Sequence, residues 1–413
     1  MVIKVQGALM SLNSLISVKK ATERIESLKF PLKSQNIPLE TAYGRISAEN
    51  ICALLDAPPF DRAAMDGYAL RSMDTVQSSP KNPLYLDVVD DIGAGESSNL
   101  KLNQNQAVRI STGAPIPPGA DAVIMKEKVE ESDFQIKVTE GVTIHQDVAL
   151  KGEDFHRGDA LLSEGQLLNP NQIALVASAG INQVKVVKKP AIGIINTGNE
   201  LIEPTINPKP NMIINSNKYA LIGLVGECLA RSYQYLCKDD LEDLKKQLKQ
   251  AAKSYDAVIT TGGTAISKGD VVLEAVQELG EVLFHGVSIK PGKPLGFGIV
   301  DGKPVFMLSG YPVAAAVQFD FFVRPSLFRM QGIDFRMKFQ EFEVGSEVKS
   351  AKDKFTVMRA CLDDEIVYPL RTKAGINKSI TNSNCYLILD EDTGKLNKGE
   401  MCPVIKYEDL RIC

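Results

Sequence analysis

The spacing of hydrophobic positions changes along the chain, and each change marks a different kind of element. Over the first ~50 residues Leu12, Leu15, Ile16, Ala21, Ile25 and Leu28 fall roughly on one face, which predicts one or two helices. From Ile51 the runs shorten to "LYLDVVD", "AVRIST", "DAVIMKE" and "FQIKVTE", separated by Gly/Pro turns such as "GAPIPPGAD". That texture predicts a small β-rich domain. "NPNQIALVASAG" then predicts a helix capped by Asn169, with Pro170 at its first position and Gly180 closing it. From Pro190 the rhythm becomes strand–helix alternation: "AIGIINTG", a helical "NSNKYALIGLVGECLA", "SYQYLC", and a stripe of Leu241, Leu244, Leu248, Ala251 and Tyr255 capped by Asp239 or Asp240. "DAVITT", "VVLEAVQELG" ended by Gly280, and "EVLFHG" continue it. Alternation of this kind predicts βαβ units and a mostly parallel sheet covered on both faces. The last ~80 residues return to β texture and predict a C-terminal β domain.

Composition narrows the class. A chain of 413 residues exceeds the ~250–300 that one core sustains, so two to four domains are expected. With 44% hydrophobic and 24% charged residues and a net charge of −4, nucleic acid is not expected as a partner. Seven scattered cysteines without a C-x-x-C pair fit reduced thiols and a cytoplasmic protein, not a disulfide frame or zinc ribbon. Three histidines (His145, His156, His285) show no ligand spacing. The N-terminus lacks the features of a secretory signal and no run of ~18 apolar residues occurs, so no membrane span is expected.

Candidate chemistry sits in loops. In open α/β sheets ligands lie beyond the carboxyl ends of strands, where "NTGNEL" and "TGGTAISKGD" each combine glycines with an acid, Glu200 and Asp270. Glycines let backbone approach a ligand, and free N–H groups at a helix start suit an anion. "HGVSIKPGKPLGFG" holds Lys290 and Lys293 between prolines. Its glycine interval is one residue too long for a P-loop and a proline follows the lysine; two stiffly held lysines still suit an anionic ligand. Upstream, "FDRAAMDGYALR" carries Asp61 and Asp66, "RISTGAP" places Thr112 and Gly113 in a turn, and "ALKGEDFHRGD" gathers Glu153, Asp154, Arg157 and Asp159.

Taken in order, "FDRAAMDGYALR", "RISTGAPIPPGADAVIMKE", "KGEDFHRGDALL", "INTGNEL", "NSN", "TTGGTAISKGD", "LFHGVSIKPGKPLGFG" and "FVRPSL" resemble the MoeA family of molybdopterin molybdenumtransferases, which includes the E domain of gephyrin. The resemblance runs over almost the whole chain. It implies a multidomain α/β fold: an elongated subunit, a central domain like the molybdopterin adenylyltransferases, β-rich flanking domains and a C-terminal β domain. The corresponding domain boundaries are 1–54 plus 149–189, 55–148, 190–333 and 334–413. It implies insertion of molybdate into adenylylated molybdopterin with Mg²⁺-dependent release of AMP. It also implies a homodimer whose active site joins the α/β domain of one subunit to the "AMDGYA" domain of the other. An adenylyltransferase and molybdoenzyme-maturation proteins are the further partners it suggests.

By motif match Asp66, Asp154, Glu200, Asp270, Lys290 and Lys293 fall on catalytic positions, with Glu200 and Asp270 as the Mg²⁺ ligands. Thr112, Gly113, Thr197, Gly198, Asn215, Gly262, Gly263, Thr264, Ser267, Ser309 and Arg359 fall on substrate-binding positions. Departures from the family pattern are Ser309, Tyr311 and Ala314 in "MLSGYPVAA", Asn199 in "GNEL", Asn215 before "SN", and "GGTA". Asn215 lacks the carboxylate of an aspartate, and Ala314 lacks a hydroxyl donor. Two other readings are a molybdopterin adenylyltransferase, against which the flanking domains argue, and a non-catalytic paralogue acting as a scaffold, against which the retained acids and lysines argue.

Overall fold

The computed structural model describes residues 15–263, 270–350, 353–370, 373 and 375–412. The chain divides into two compact units, residues 34–186 and the remainder.

The first helix, α1 (Val18–Glu26), is capped by Ser17 and buries Ala21 and Ile25. It is shorter than the periodicity predicts. Pro31 cannot supply a helical N–H and disfavours helix at Phe30, and Ser34–Pro38 is a strand instead.

In the unit of residues 34–186 the main strands are β1 (Gly67–Leu70), β2 (Leu84–Ile92), β3 (Gln106–Ile110), β4 (Ala122–Met125), β5 (Val129–Glu131) and β6 (Gln135–Val138). They form one sheet in the order β4-β1-β3-β2-β6-β5. Alternate residues build a core on each face, Tyr68, Leu70 and Ile124 on one, Ala69, Val108 and Val123 on the other. Helix α2 (Pro170–Ser178) starts with a reciprocal capping box between Asn169 and Gln172, and Pro170 is at its start as predicted.

The other unit contains β7 (Ala191–Thr197), α3 (Ser216–Glu227), β8 (Arg231–Cys237), α4 (Leu241–Ser254), β9 (Ala257–Thr261), α5 (Val271–Leu279), β10 (Gly280–His285), β11 (Ile289–Lys290), β12 (Gly296–Val300) and β13 (Lys303–Leu308). Asp240, not Asp239, caps α4. Six strands form a sheet in the order β8-β7-β9-β13-β12-β10, its first four parallel and its last two antiparallel additions. Leu244, Leu248, Val272 and Val276 of α4 and α5 cover one face. The opposite face is covered by α3, α6 (Pro312–Gln318), a π-helical turn at Phe319–Val323, and α7 (Arg324–Arg329). Gly280 ends α5 as predicted, its N–H donating to the Val276 carbonyl, and it also opens β10 in extended backbone. A Cβ there would lie 1.9 Å from the Ile299 carbonyl oxygen, so strand packing demands the glycine.

The C-terminal strands are β14 (Gln340–Val344), β15 (Phe355–Asp363), β16 (Ile366–Pro369), β17 (Cys385–Leu389) and β18 (Met401–Lys406). Their pairings close on themselves, β15-β16-β14-β18-β17-β15, giving a small barrel that leaves no edge among these strands. Strand β11 joins it, pairing Ile289 with Phe355 and Lys290 with Thr356. Val357, Tyr386, Ile388 and Ile405 share one core with the α/β sheet. The whole is a multidomain α/β fold with a β-rich N-terminal half and a C-terminal β barrel. Among the described residues no helix is long and apolar enough to cross a membrane.

Candidate active site

Parallel strands bring their carboxyl ends to one edge of the sheet, and that edge gathers most of the sequence-predicted residues. Thr197 ends β7 and Thr261 ends β9, with Asn196 Nδ2 donating to Thr261 Oγ1 at 2.7 Å. Gly198 and Gly262 follow them. Gly262 has φ +85°, and a Cβ there would lie 2.1 Å from the Thr197 carbonyl oxygen. Only glycine lets the two strand ends come this close. Gly263 follows, also at positive φ, while Thr264, Ser267 and Lys268 lie outside the described residues.

The acids of this edge differ in setting. Asp270 is buried, caps α5 by accepting the Leu273 N–H at 2.8 Å, and turns its second oxygen to within 3.1 Å of His285 Nε2. Among the described residues no hydrogen bond reaches Asp270 Oδ2. Glu200 is exposed in the loop after β7. A third acid, Asp239, escaped the sequence reading; it follows β8 and accepts from Thr197 Oγ1 at 2.8 Å and the Asn199 N–H at 3.3 Å. Its signal is its place, an acid two residues beyond a strand end, where the sequence offers Asp239 or Asp240 as a helix cap. Asn196 Oδ1, Asn215 Nδ2 and Asn217 Oδ1 are further buried polar atoms without a partner among the described residues. Unpaired buried polar atoms are costly and rare, so their clustering beside strand ends marks a place for polar ligand atoms. Asn215 also has a structural duty, capping α3 through the Lys218 N–H at 3.2 Å.

The described residues contain no group of three or more His, Cys, Asp or Glu side chains arranged to hold a metal. Mg²⁺ is satisfied by one or two carboxylates with water and phosphate completing its shell. Glu200 and Asp270 each offer hard oxygen of the kind that ion takes, and Asp270 Oδ2 is without a hydrogen-bond donor among the described residues; Asp239 has both oxygens engaged by Thr197 and Asn199.

Beside this edge lies a cavity of about 810 Å³. One wall is the loop bearing Lys290 and Lys293 together with Ser309, Tyr311 and Ala314. The other comes from the barrel and carries Lys349, Lys354, Thr356, Arg359 and Lys373. Among the described residues six cationic side chains line it and no carboxylate does. Arg359 is buried, donates to Ser379 Oγ at 2.6 Å, and is pulled below its ordinary pKa by burial, with Tyr407 and Tyr386 opposing. The three barrel lysines are scattered at 349, 354 and 373 with no motif around them, so only folding groups them. Ser309 is buried, its N–H is held by Gln318, and its hydroxyl accepts the Tyr311 N–H at 3.3 Å. Ala314 brings no donor to the wall.

The unit of residues 34–186 has its own cluster. Asp66 Oδ1 accepts both the Thr112 N–H and the Thr112 hydroxyl at 2.7 Å. These two donors hold its carboxyl below the ordinary aspartate range. Gly113 turns at φ +85° and donates its N–H to the Ala63 carbonyl, tying the two motifs together. Asp61 accepts the Lys151 N–H at 2.7 Å, and the Asp154 N–H donates to the Ala57 carbonyl. The Asp154 carboxylate is exposed beside them. Three sequence-distant loops therefore converge, exposing Asp66 and Asp154.

Comparison with known proteins agrees with this layout. Family profiles match three consecutive regions: "MoeA N-terminal region (domain I and II)" over residues 16–180, "Probable molybdopterin binding domain" over 193–329, and "MoeA C-terminal region (domain IV)" over 342–407. The molybdopterin molybdenumtransferase of Staphylococcus aureus (strain COL) is 37% identical over 319 residues, 77% of this chain and 76% of that one. A Methanocaldococcus jannaschii protein whose assignment to molybdopterin biosynthesis is itself provisional is 38% identical over 399 residues, 94% of this chain and 95% of the other. Among solved structures, the molybdopterin biosynthesis MoeA protein of Pyrococcus horikoshii superposes with a TM-score of 0.84 at 34% identity, covering 95% of this chain and 99% of that one.

Proposed function

The chain belongs to the MoeA family of molybdenum cofactor biosynthesis proteins, and from that premise we propose that it inserts molybdate into adenylylated molybdopterin with release of AMP. The observation that carries the proposal is the cavity of about 810 Å³ beside the sheet edge, whose charged lining among the described residues is entirely cationic. Molybdate and the nucleotide's phosphates are anions, and a cavity with no carboxylate in its lining attracts them without a repulsive term.

Roles follow from chemistry. Lys290, Lys293 and Arg359 bind the oxyanion, the guanidinium as a planar multi-donor and the lysines as point charges. The unpartnered Asn196, Asn215 and Asn217 atoms orient the pterin–nucleotide through hydrogen bonds. Thr197, Gly198, Gly262 and Gly263 let the protein backbone approach the substrate closely. Glu200 and Asp270 would hold Mg²⁺, which when bound would neutralise charge on the leaving AMP. Asp66 and Asp154 serve the same reaction from the other unit, Thr112 keeping Asp66 ionised and Gly113 shaping that loop. A homodimer goes with this reading, as does delivery of the substrate by an adenylyltransferase. A cytoplasmic setting is supported by Cys52, Cys228, Cys237, Cys361, Cys385 and Cys402, all unpaired among the described residues.

The test is direct. Purified protein with adenylylated molybdopterin, Mg²⁺ and molybdate is expected to release AMP in step with molybdate and to yield cofactor that reconstitutes an apo-molybdoenzyme. Molybdate-independent AMP formation, or none, would falsify the transferase reading and leave the scaffold alternative standing.

A further inference from the structure

The two walls of the cationic cavity are held by one short stretch of chain, from Gln318 to Arg324. The Gln318 side chain is fully buried; it accepts the Ser309 N–H at 2.7 Å and donates to the Gly292 carbonyl at 2.7 Å. That pair of bonds ties the lysine loop to the turn before α6. Two residues later, in the π-helical turn, Asp320 accepts from the Tyr386 hydroxyl at 2.9 Å and from Arg324 Nε at 2.9 Å and Nη2 at 2.8 Å. Tyr386 stands directly opposite Arg359 in the β15–β17 ladder. Arg324 Nη1 adds a second tie to the barrel segment, donating to the Leu410 carbonyl at 3.0 Å. One end of the stretch thus grips the lysine wall and the other grips β17, the strand paired with the one that carries Arg359.

We propose that Gln318 and Asp320 are positioning residues that set the separation of these walls, and so the affinity of the cavity for a tetrahedral oxyanion. An oxyanion bridging the walls needs donors at hydrogen-bond distance on both sides at once. A wall displaced by ~1 Å takes one set beyond useful range. The inference rests on the oxyanion reading of the cavity. Without the clamp the walls stay joined by the two residue pairs of β11 with β15 and by the shared core, so the fold survives its loss.

The experiment compares Tyr386→Phe, Gln318→Glu and a distant control, Asn169→Ala, with the natural protein. Tyr386→Phe keeps the ring packed against Phe321 and Tyr407 and removes only the hydroxyl. It therefore remains informative if Gln318→Glu does not fold. Tungstate and molybdate binding is read by calorimetry, melting temperature by scanning calorimetry, and turnover as a function of molybdate. The expected result is a Kd roughly 2- to 10-fold weaker in both clamp variants, the loss of about one hydrogen bond's worth of coupling. KM for molybdate rises with it while kcat stays within about twofold. Asn169→Ala lowers the melting temperature and leaves Kd unchanged. Unchanged Kd in the clamp variants, with melting temperatures lowered as in the control, overturns the clamp and makes these residues structural only. A natural protein that binds neither oxyanion overturns the cavity reading itself, and the clamp with it.

Discussion

At the scale of single residues, two polar groups decide more than their neighbours. Arg324 is 1% exposed yet charged, and it survives because Asp320 at 2.8 Å and Glu227 at 3.0 Å face it. Burial pushes the Asp320 carboxyl up, and Arg324 opposes that shift. Arg324→Met removes the cation and strands two carboxylates, so a loss of about 3–5 kcal/mol is expected in urea unfolding. A cost below about 1 kcal/mol would mean that the cluster is solvated. Asp66 shows the opposite case. Its carboxyl is held low by the Thr112 N–H first and the Thr112 hydroxyl second. A carboxyl lowered in the folded state adds stability above its unfolded pKa, and that contribution is lost as pH falls through the folded value. Carbon-13 NMR of Asp66 is expected to show a midpoint below the ordinary aspartate range. Thr112→Val, which keeps the N–H, should move it part of the way up.

Elements set what can be substituted at the sheet edge. The tips of β7 and β9 touch through Gly262, whose positive φ and 2.1 Å approach exclude a side chain. Gly262→Ala is expected to cost about 2 kcal/mol or more and to abolish turnover, because both strand ends must separate. Asp270 differs. Its loss removes one helix cap, worth about 1 kcal/mol, so Asp270→Ala should keep its circular dichroism and lose turnover. Full turnover in this variant would remove Asp270 from the reaction. Strand β11 also matters as an element: two residues of a proline-rich loop enter the barrel ladder, which fixes Lys290 against Thr356. A surface turn would have given that lysine no fixed place.

For the whole molecule, the proposed reaction calls on two clusters that lie in separate units of the chain. If the proposed homodimer combines residues of different subunits, Asp66→Ala and Asp270→Ala proteins, each inactive alone, should complement when co-expressed. Random pairing puts one intact site in half of the dimers, so about a quarter of full turnover is expected. No recovery would place both clusters' work within one subunit.

How much of this was legible beforehand depended on the range of the forces involved. Local rules were sufficient for the Asn169 capping box, the βαβ rhythm from Pro190 and the glycines after β7 and β9, because periodicity, caps and turns are written within a few residues. Ordered motifs were enough for the family. The expectation of helix over the first ~50 residues reached too far, since the apolar stripe ends at Leu28 and Pro31 disfavours helix beyond it. Asp239, Gln318 and the barrel lysines were not legible. Asp239 looked like a cap until α4 took Asp240 instead, and Gln318 looked like an ordinary helix residue until two distant loops met its amide. Lys349, Lys354 and Lys373 share no motif; only barrel closure turns them toward Lys290 and Lys293. The sequence determined which elements form and which chemistry is present, since both follow from short-range pattern. Tertiary structure decided which charges face one cavity and what holds its walls, since those depend on contacts between residues far apart in the chain.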